Sequence, residues 1–307
     1  MKVFITGATG FIGRHLVKIL NKNHNLLLLV RDSKKLSGNY YFNDAELIIG
    51  NLSNIDVWKN KLKEFQPDAA IHLAWEGIPD YGPEMSEKNL KYGSGLFKAL
   101  AEIGCKRIIT TGNCWEYGAK YGKLSENMTV HPSGAFSIAK NSLNLIGSKI
   151  AKENNIQFNW LRLFYVYGPG QKEDSLIPYL INSIKNSKTP KIKTLNAKND
   201  FIYVEDVAEA ILMILEKCRQ NGIFNIGSGI STSILDIVKN VYTNCNSEYI
   251  NEFKLSNKNN ISKIDFWADI SKIKNGVGWK PKIGIGKGIE KTVPHYRNND
   301  LIGENYA

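Results

Sequence analysis

The stretch Thr6-Gly7-Ala8-Thr9-Gly10-Phe11-Ile12-Gly13 is where residue types and spacing first point to chemistry. Glycines at intervals of three let main-chain N–H groups approach an anion, and a helix starting there would favour negative charge at its N-terminus. The loop therefore suits the pyrophosphate of a dinucleotide, provided a strand precedes it and a helix follows; elsewhere it would be a plain tight turn. Metal chemistry is not expected. Cys105, Cys114, Cys218 and Cys245 show no C-x-x-C spacing and do not cluster with the histidines. Neither a zinc site nor a disulfide framework follows, and the setting is read as cytoplasmic.

The surrounding elements meet the condition. Val3–Thr6 reads as a strand and Phe11–Asn23 as the helix after it. Strands follow at Leu26–Val30, Glu46–Ile49, Ala69–His72, Arg107–Thr111 and Phe158–Leu163. They alternate with helical periodicity at Trp58–Phe65, Met85–Ile103 and Ser137–Glu153. Repeated βαβ units predict an α/β fold, a Rossmann-type doubly wound parallel sheet with its ligand across the carboxyl ends of the strands. Beyond Gly170 the pattern becomes irregular: a helix at Leu176–Lys185, an extended Asp200–Val204, a helix at Val204–Lys217 and a strand at Ile223–Ile226. A helix at Ile234–Val241, a polar Asn/Lys-rich stretch and a last helix after Pro281 complete the chain. The division expected is a dinucleotide-binding domain of 1–170 plus 200–228 and a smaller discontinuous α/β substrate lobe of 171–199 plus 229–300.

Composition sets the outer bounds. At 307 residues, 43% hydrophobic and 10% aromatic, the chain can bury a sizeable core and is not of the disordered class. No apolar run approaches the roughly 18–20 residues of a bilayer crossing, and no secretory signal opens the sequence. The net charge of +11 could suit nucleic acid, but lysine is spread along the chain rather than gathered, so neither nucleic acid nor a membrane is expected as a partner.

Several ordered motifs resemble the extended short-chain dehydrogenase/reductase family, the nucleotide-sugar epimerases, dehydratases and reductases. Besides the glycine loop they are His72-Leu73-Ala74, Gly112-Asn113-Cys114-Trp115-Glu116-Tyr117-Gly118, Arg162 to Gln171, Asp200 to Val207, Phe224 to Gly229 and Gly278 to Pro281. His72–Trp75, Cys114–Gly118 and Trp160–Leu176 are most similar to the subgroup of C4 reductases that contains dTDP-6-deoxy-L-talose 4-dehydrogenase. The resemblance implies that Gly7, Thr9, Gly10, Phe11, Ile12, Arg14, Leu73 and Ala74 line the cofactor site, with Asn51 and Leu52 beside the adenine. An NAD-specific site would carry a carboxylate at the end of the second strand; Val30 stands there, followed by Arg31. A guanidinium suits a 2′-phosphate, so NADP(H) is favoured, with NAD(H) the alternative if Asp32 takes the ribose.

The same resemblance implies a Tyr-x-x-x-Lys pair and a Ser or Thr at the end of the preceding strand, the tyrosine serving as acid or base. Lys140 is present, to orient the nicotinamide ribose. Phe136 stands at the tyrosine position and Asn113 at the hydroxyl position. An asparagine can still donate to a keto oxygen, whereas a phenylalanine has no proton to give. Three explanations are open: a tyrosine deliberately replaced, a native protein using another acid (Tyr117, Cys114 or Ser137), or a silent binding protein. The first is favoured, and little or no turnover is expected.

Trp75, Cys114, Trp115, Tyr165, Gln171, Ser175, Leu176 and Tyr203 are the implied substrate contacts. His72 is read as closing its strand, and Arg162 as pairing there. Cys114-Trp115 replaces the acid/base pair of a 4,6-dehydratase, so elimination of water is not expected. The reaction implied is reduction of a nucleotide-diphospho-4-keto-6-deoxy sugar at C4; the alternatives are a C4 epimerase with tightly held NAD and a silent NADP-binding protein. The helices at 85–103 and 137–153 form the dimer interface in such proteins, so a homodimer is expected.

Overall fold

The computed structural model describes residues 1–36, 40–119, 121–245 and 264–297. Its main sheet is parallel and has seven strands among the described residues: β1 (Lys2–Thr6), β2 (Asn25–Val30), β3 (Glu46–Ile49), β4 (Ala69–His72), β5 (Arg107–Asn113), β7 (Gln157–Leu163) and β11 (Gly222–Ile226). Their order is β11-β7-β5-β4-β1-β2-β3, so the direction of winding reverses between β1 and β4. That reversal opens a crevice at the carboxyl ends of those two strands.

The strands read as unbroken apolar runs because both faces are covered. Val3 and Ile5 of β1 enter one core and Phe4 the other; Leu26, Leu28 and Val30 of β2 alternate with Leu27 and Leu29 in the same way. Helices α1 (Phe11–Leu20) and α6 (Val204–Lys217) cover the first face. On the second lie α2 (Lys59–Phe65), α3 (Pro83–Glu102) and α4 (Ala135–Glu153). These bounds agree with the sequence reading to within a few residues.

A third core gathers α5 (Leu176–Lys185), α7 (Ile234–Asn244) and the last helix, α9 (Ile285–Arg297), against Tyr167, Phe201 and Tyr203. Short strands pair in twos apart from the main sheet. They are β6 (Gly122–Leu124), β8 (Tyr165–Tyr167), β9 (Lys198–Asn199), β10 (Phe201–Tyr203), β12 (Thr232–Ser233) and β13 (Phe266–Ala268), with α8 (Ser271–Val277) following the last. Buried Asp200 holds three segments at once: its carboxylate accepts from Ser228 N and Oγ at 2.6 Å, Gly229 N at 2.9 Å and Ala268 N at 3.0 Å. Asp206 similarly accepts from the backbone of Lys282 and Ile283. The polar stretch expected before Trp279 lies largely outside the described residues. The four cysteines are buried and unbridged.

Candidate active site

The glycine loop is shaped by close contact on two sides. Gly7 has φ +76°, and a Cβ there would stand 2.7 Å from Ala74 N. At Gly13 a Cβ would come within 2.0 Å of Gly7 O, so α1 can sit this tightly under the loop only without a side chain. Thr6 completes the support, its Oγ1 lying 2.7 Å from His72 Nδ1 and accepting from Ala74 N at 3.4 Å. Burial and the nearby Lys140 push the His72 imidazole down to about 3, so it is a neutral strand-end residue.

Thr9, Gly10, Phe11, Ile12, Arg14, Leu73 and Ala74 all keep exposed or half-buried surface around this cradle, beside Arg31 after β2 and Asn51 and Leu52 after β3. Arg31 is exposed, while Asp32 Oδ1 accepts from Lys34 N at 2.9 Å and closes its own turn. Asn51 Oδ1 is likewise taken by Ser53 N at 3.0 Å. A loop that tolerates no Cβ, under the start of a helix, fits a dinucleotide pyrophosphate.

At the end of β5 a buried carboxylate sets the geometry. Glu116 accepts from Asn113 N at 2.8 Å, Trp160 Nε1 at 3.0 Å and Arg162 Nε at 2.9 Å. The guanidinium lies over the Tyr117 ring, 4.6 Å from its centroid. Gly112 makes room, since a Cβ there would meet Glu116 Oε1 at 2.2 Å. Fixed in this way, Asn113 accepts from Trp115 N with Oδ1 at 2.9 Å, which settles the orientation of its amide. Its Nδ2 is buried and has no hydrogen-bond partner among the described residues. This is a donor held ready at the strand end, at a cost in stability unless a ligand accepts from it.

Lys140, on α4, donates to Thr111 O at 2.8 Å and lies 4.1 Å from the Trp75 ring centroid. Burial pushes its ammonium down to about 7, against the pull of Glu116. Phe136, one turn earlier, meets Trp75 at 5.3 Å, Tyr81 at 4.9 Å and Trp115 at 6.1 Å between ring centroids. Beside this cluster opens a cavity of about 430 Å³, its walls including Tyr81, Cys114, Trp115, Phe136, Tyr165 and Phe266. Among the described residues none that lines it is charged.

The structure thus gathers Asn113, Phe136, Lys140, Trp75, Cys114, Trp115 and Tyr165 in one place. Others of the expected set lie elsewhere. Tyr203 is 1% exposed inside the third core, with its ring against Tyr167, and has no surface for a ligand. Leu176 opens α5 and packs on that core; Ser175 precedes it at the helix N-terminus. Gln171 donates to Val166 O at 3.0 Å and leaves Oε1 buried without a partner among the described residues. Of the substitute acids, Tyr117 is fully buried and donates to Asn225 Oδ1 at 2.7 Å. Ser137 is tied to Gly134 O at 2.9 Å, and burial drives the Cys114 thiol far up. Arg162 pairs at its strand, as expected. Glu116 and Tyr81 were missed: the first sits between Trp115 and Tyr117 with nothing local to mark its partners, the second between Pro79 and Gly82 with no periodicity to mark it.

The profile described as the NAD dependent epimerase/dehydratase family matches residues 3–227. The chain belongs to that family. It is therefore an enzyme of the short-chain dehydrogenase/reductase type, whose members use a pyridine nucleotide. It is 28% identical to dTDP-4-dehydro-6-deoxyglucose reductase of Escherichia coli, over 96% of this chain and 97% of that one. It is 26% identical to dTDP-6-deoxy-L-talose 4-dehydrogenase (NAD(+)) of Aggregatibacter actinomycetemcomitans, over 78% and 88%. Among solved structures, UDP-N-acetylglucosamine 4-epimerase from Methanobrevibacter ruminantium superposes with a TM-score of 0.85 at 24% identity, over 97% of this chain and 98% of that one. No helix among the described residues is long and apolar enough to cross a membrane.

Proposed function

We propose that this enzyme reduces a nucleotide-diphospho-4-keto-6-deoxy sugar at C4 with NADP(H). The observation that carries the reading is the buried Asn113 Nδ2, without a hydrogen-bond partner among the described residues, in a residue whose backbone N–H is held by Glu116 and which directly precedes Cys114 of the aromatic cavity wall. A bound nicotinamide would supply the hydride. Asn113 donates to the keto oxygen and favours the charge that develops there. Gly7, Gly10 and the residues around them would hold the pyrophosphate, and Lys140 the nicotinamide ribose.

The cavity also supports the sugar class. Among the described residues no charged side chain stands in its wall to meet a uronic acid, whereas ring faces suit the apolar edge and methyl of a 6-deoxy sugar. Its diphosphate belongs outside, toward the segment that carries Gln171 and Ser175. Exposed Arg31, next to an Asp32 already engaged, supports NADP(H) over NAD(H). The proposed homodimer uses the outer face of α4, where Ile138, Leu145 and Ile146 are exposed at 47%, 63% and 37%.

The test is NADPH oxidation, followed by absorbance, against a panel of dTDP- and CDP-linked 4-keto-6-deoxy sugars, comparing the chain with Phe136→Tyr. Turnover that depends on added NADPH supports the reading. Enzyme that carries NAD through gel filtration and interconverts C4 epimers would replace it with an epimerase. Failure of both proteins across the panel would end the reductase assignment.

A further inference from the structure

We infer that Tyr81 supplies the proton that Phe136 cannot. This rests on the reductase reading and replaces the expectation of little turnover. Among the described residues three tyrosines stand in the cavity wall: Tyr81, Tyr121 and Tyr165. Tyr165 packs on Phe201 and Phe266 and its hydroxyl accepts from Trp115 Nε1 at 3.0 Å, so Trp115 rather than Tyr165 is the neighbour of Phe136 on that side. Tyr121 is 59% exposed. Tyr81 is the one whose ring lies against Phe136, with centroids 4.9 Å apart, and against Trp115 at 5.5 Å. It thus reaches the cavity beside the ring that occupies the expected position of the acid. Its hydroxyl has no hydrogen-bond partner among the described residues.

The loop that carries Tyr81 is tied on both sides. Asp80 N donates to Gly77 O at 2.7 Å, Gly82 N donates to Asp80 Oδ1 at 2.8 Å, and Lys172 Nζ donates to Ile78 O. The ring is therefore presented from a fixed turn. Burial and the Asp174 carboxylate raise its ionisation above the ordinary phenol range, so the hydroxyl keeps its proton at neutral pH. That state serves reduction: as a hydride joins C4, the carbonyl π pair moves to oxygen, the Tyr81 O–H bond breaks and the new sugar O–H forms. With 40% of the residue exposed, the phenolate recovers its proton from water. Oxidation needs the phenolate first and is correspondingly disfavoured, which separates this site from an epimerase that must run both directions.

The experiment uses the full chain, Tyr81→Phe, Tyr165→Phe, Phe136→Tyr and the double variant Tyr81→Phe/Phe136→Tyr. The probes are dTDP- and CDP-linked 4-dehydro-6-deoxyglucose, with the matching 4,6-dideoxy sugars as controls. The unmodified chain is expected to turn over, and Tyr81→Phe to lower kcat at least 100-fold with KM within threefold. Calorimetric titration without cofactor should show the keto sugar bound about fivefold more weakly by Tyr81→Phe, for one lost hydrogen bond, with the dideoxy control and NADPH affinity unchanged. The double variant should recover activity. The proposal is overturned if Tyr81→Phe keeps kcat within threefold, if Tyr165→Phe shows the loss instead, or if keto and dideoxy sugars weaken alike. Activity in Phe136→Tyr alone would overturn the role of Tyr81 while leaving the reductase reading in place; inactivity of both it and the unmodified chain would overturn both.

Discussion

Replacing Glu116 by glutamine tests whether one buried carboxylate holds the catalytic end of the sheet. The remaining amide oxygen can still accept from Asn113 N. The new NH2 group then faces Arg162 Nε–H, donor against donor, while Trp160 Nε1–H keeps its bond to the amide oxygen at 3.2 Å. One hydrogen bond to a charged group, about 1.5–3 kcal/mol, is lost. The guanidinium, with its side chain 2% exposed, is left without a counter-charge. Together these cost about 3–5 kcal/mol, the range for breaking a buried pair by removing one partner. For a chain of this size that lowers the melting temperature by about 6–10 °C at roughly 2 °C per kcal/mol. Thermal unfolding followed by circular dichroism measures it. Glu116→Leu/Arg162→Leu should recover most of the loss, since well-packed apolar replacements of such pairs are often neutral. A fall below 2 °C for the glutamine variant, or a double variant no more stable than it, would refute the argument.

Other perturbations follow from the same geometry. Arg31→Ala should raise the KM for NADPH at least tenfold and leave that for NADH within twofold; equal effects on both would remove the 2′-phosphate contact. Gly7→Ala should abolish NADPH binding in a fluorescence titration, because a Cβ would meet Ala74 N at 2.7 Å and φ is +76°. Lys140 releases its proton near pH 7 in the folded chain and near 10.4 when unfolded. Between those values the unfolded chain binds more protons, so stability rises with pH, by of order 4 kcal/mol in all. The stability of the cofactor-free enzyme relative to Lys140→Met should therefore improve from pH 7 to pH 10, and a constant difference would contradict the buried, depressed lysine.

The main sheet was legible because both of its faces are buried: alternate residues of β1, β2 and β4 feed two cores, which leaves continuous apolar runs bounded by turns. The glycine loop was legible because its contacts are with itself and with Ala74. The rest depended on long-range pairing. Nothing local in Cys114–Gly118 reveals that Glu116 meets Arg162, 46 positions later. Three-residue strands such as β6 and β13 are too short for periodicity to show. Tyr203 illustrates the limit of motif reading: its place in Asp200–Val207 suggested a site wall, but the parallel pairing of β10 with β8 turns its ring into the third core.

The pairing of β6 with β13 joins Gly122–Leu124 to Phe266–Ala268 and makes the chain's distant end part of the cavity wall. On the ribosome the order of synthesis then matters. The sheet is complete but for β11 once Leu163 emerges, while Ala268 follows about 5–20 s later at ordinary elongation rates. During that interval Trp115, Phe136 and Tyr165 face an unfinished cavity, and the nascent enzyme carries an aromatic surface that Phe266 covers in part in the finished one. Released chains ending at residue 228 are accordingly expected to bind more of an apolar dye than the complete chain.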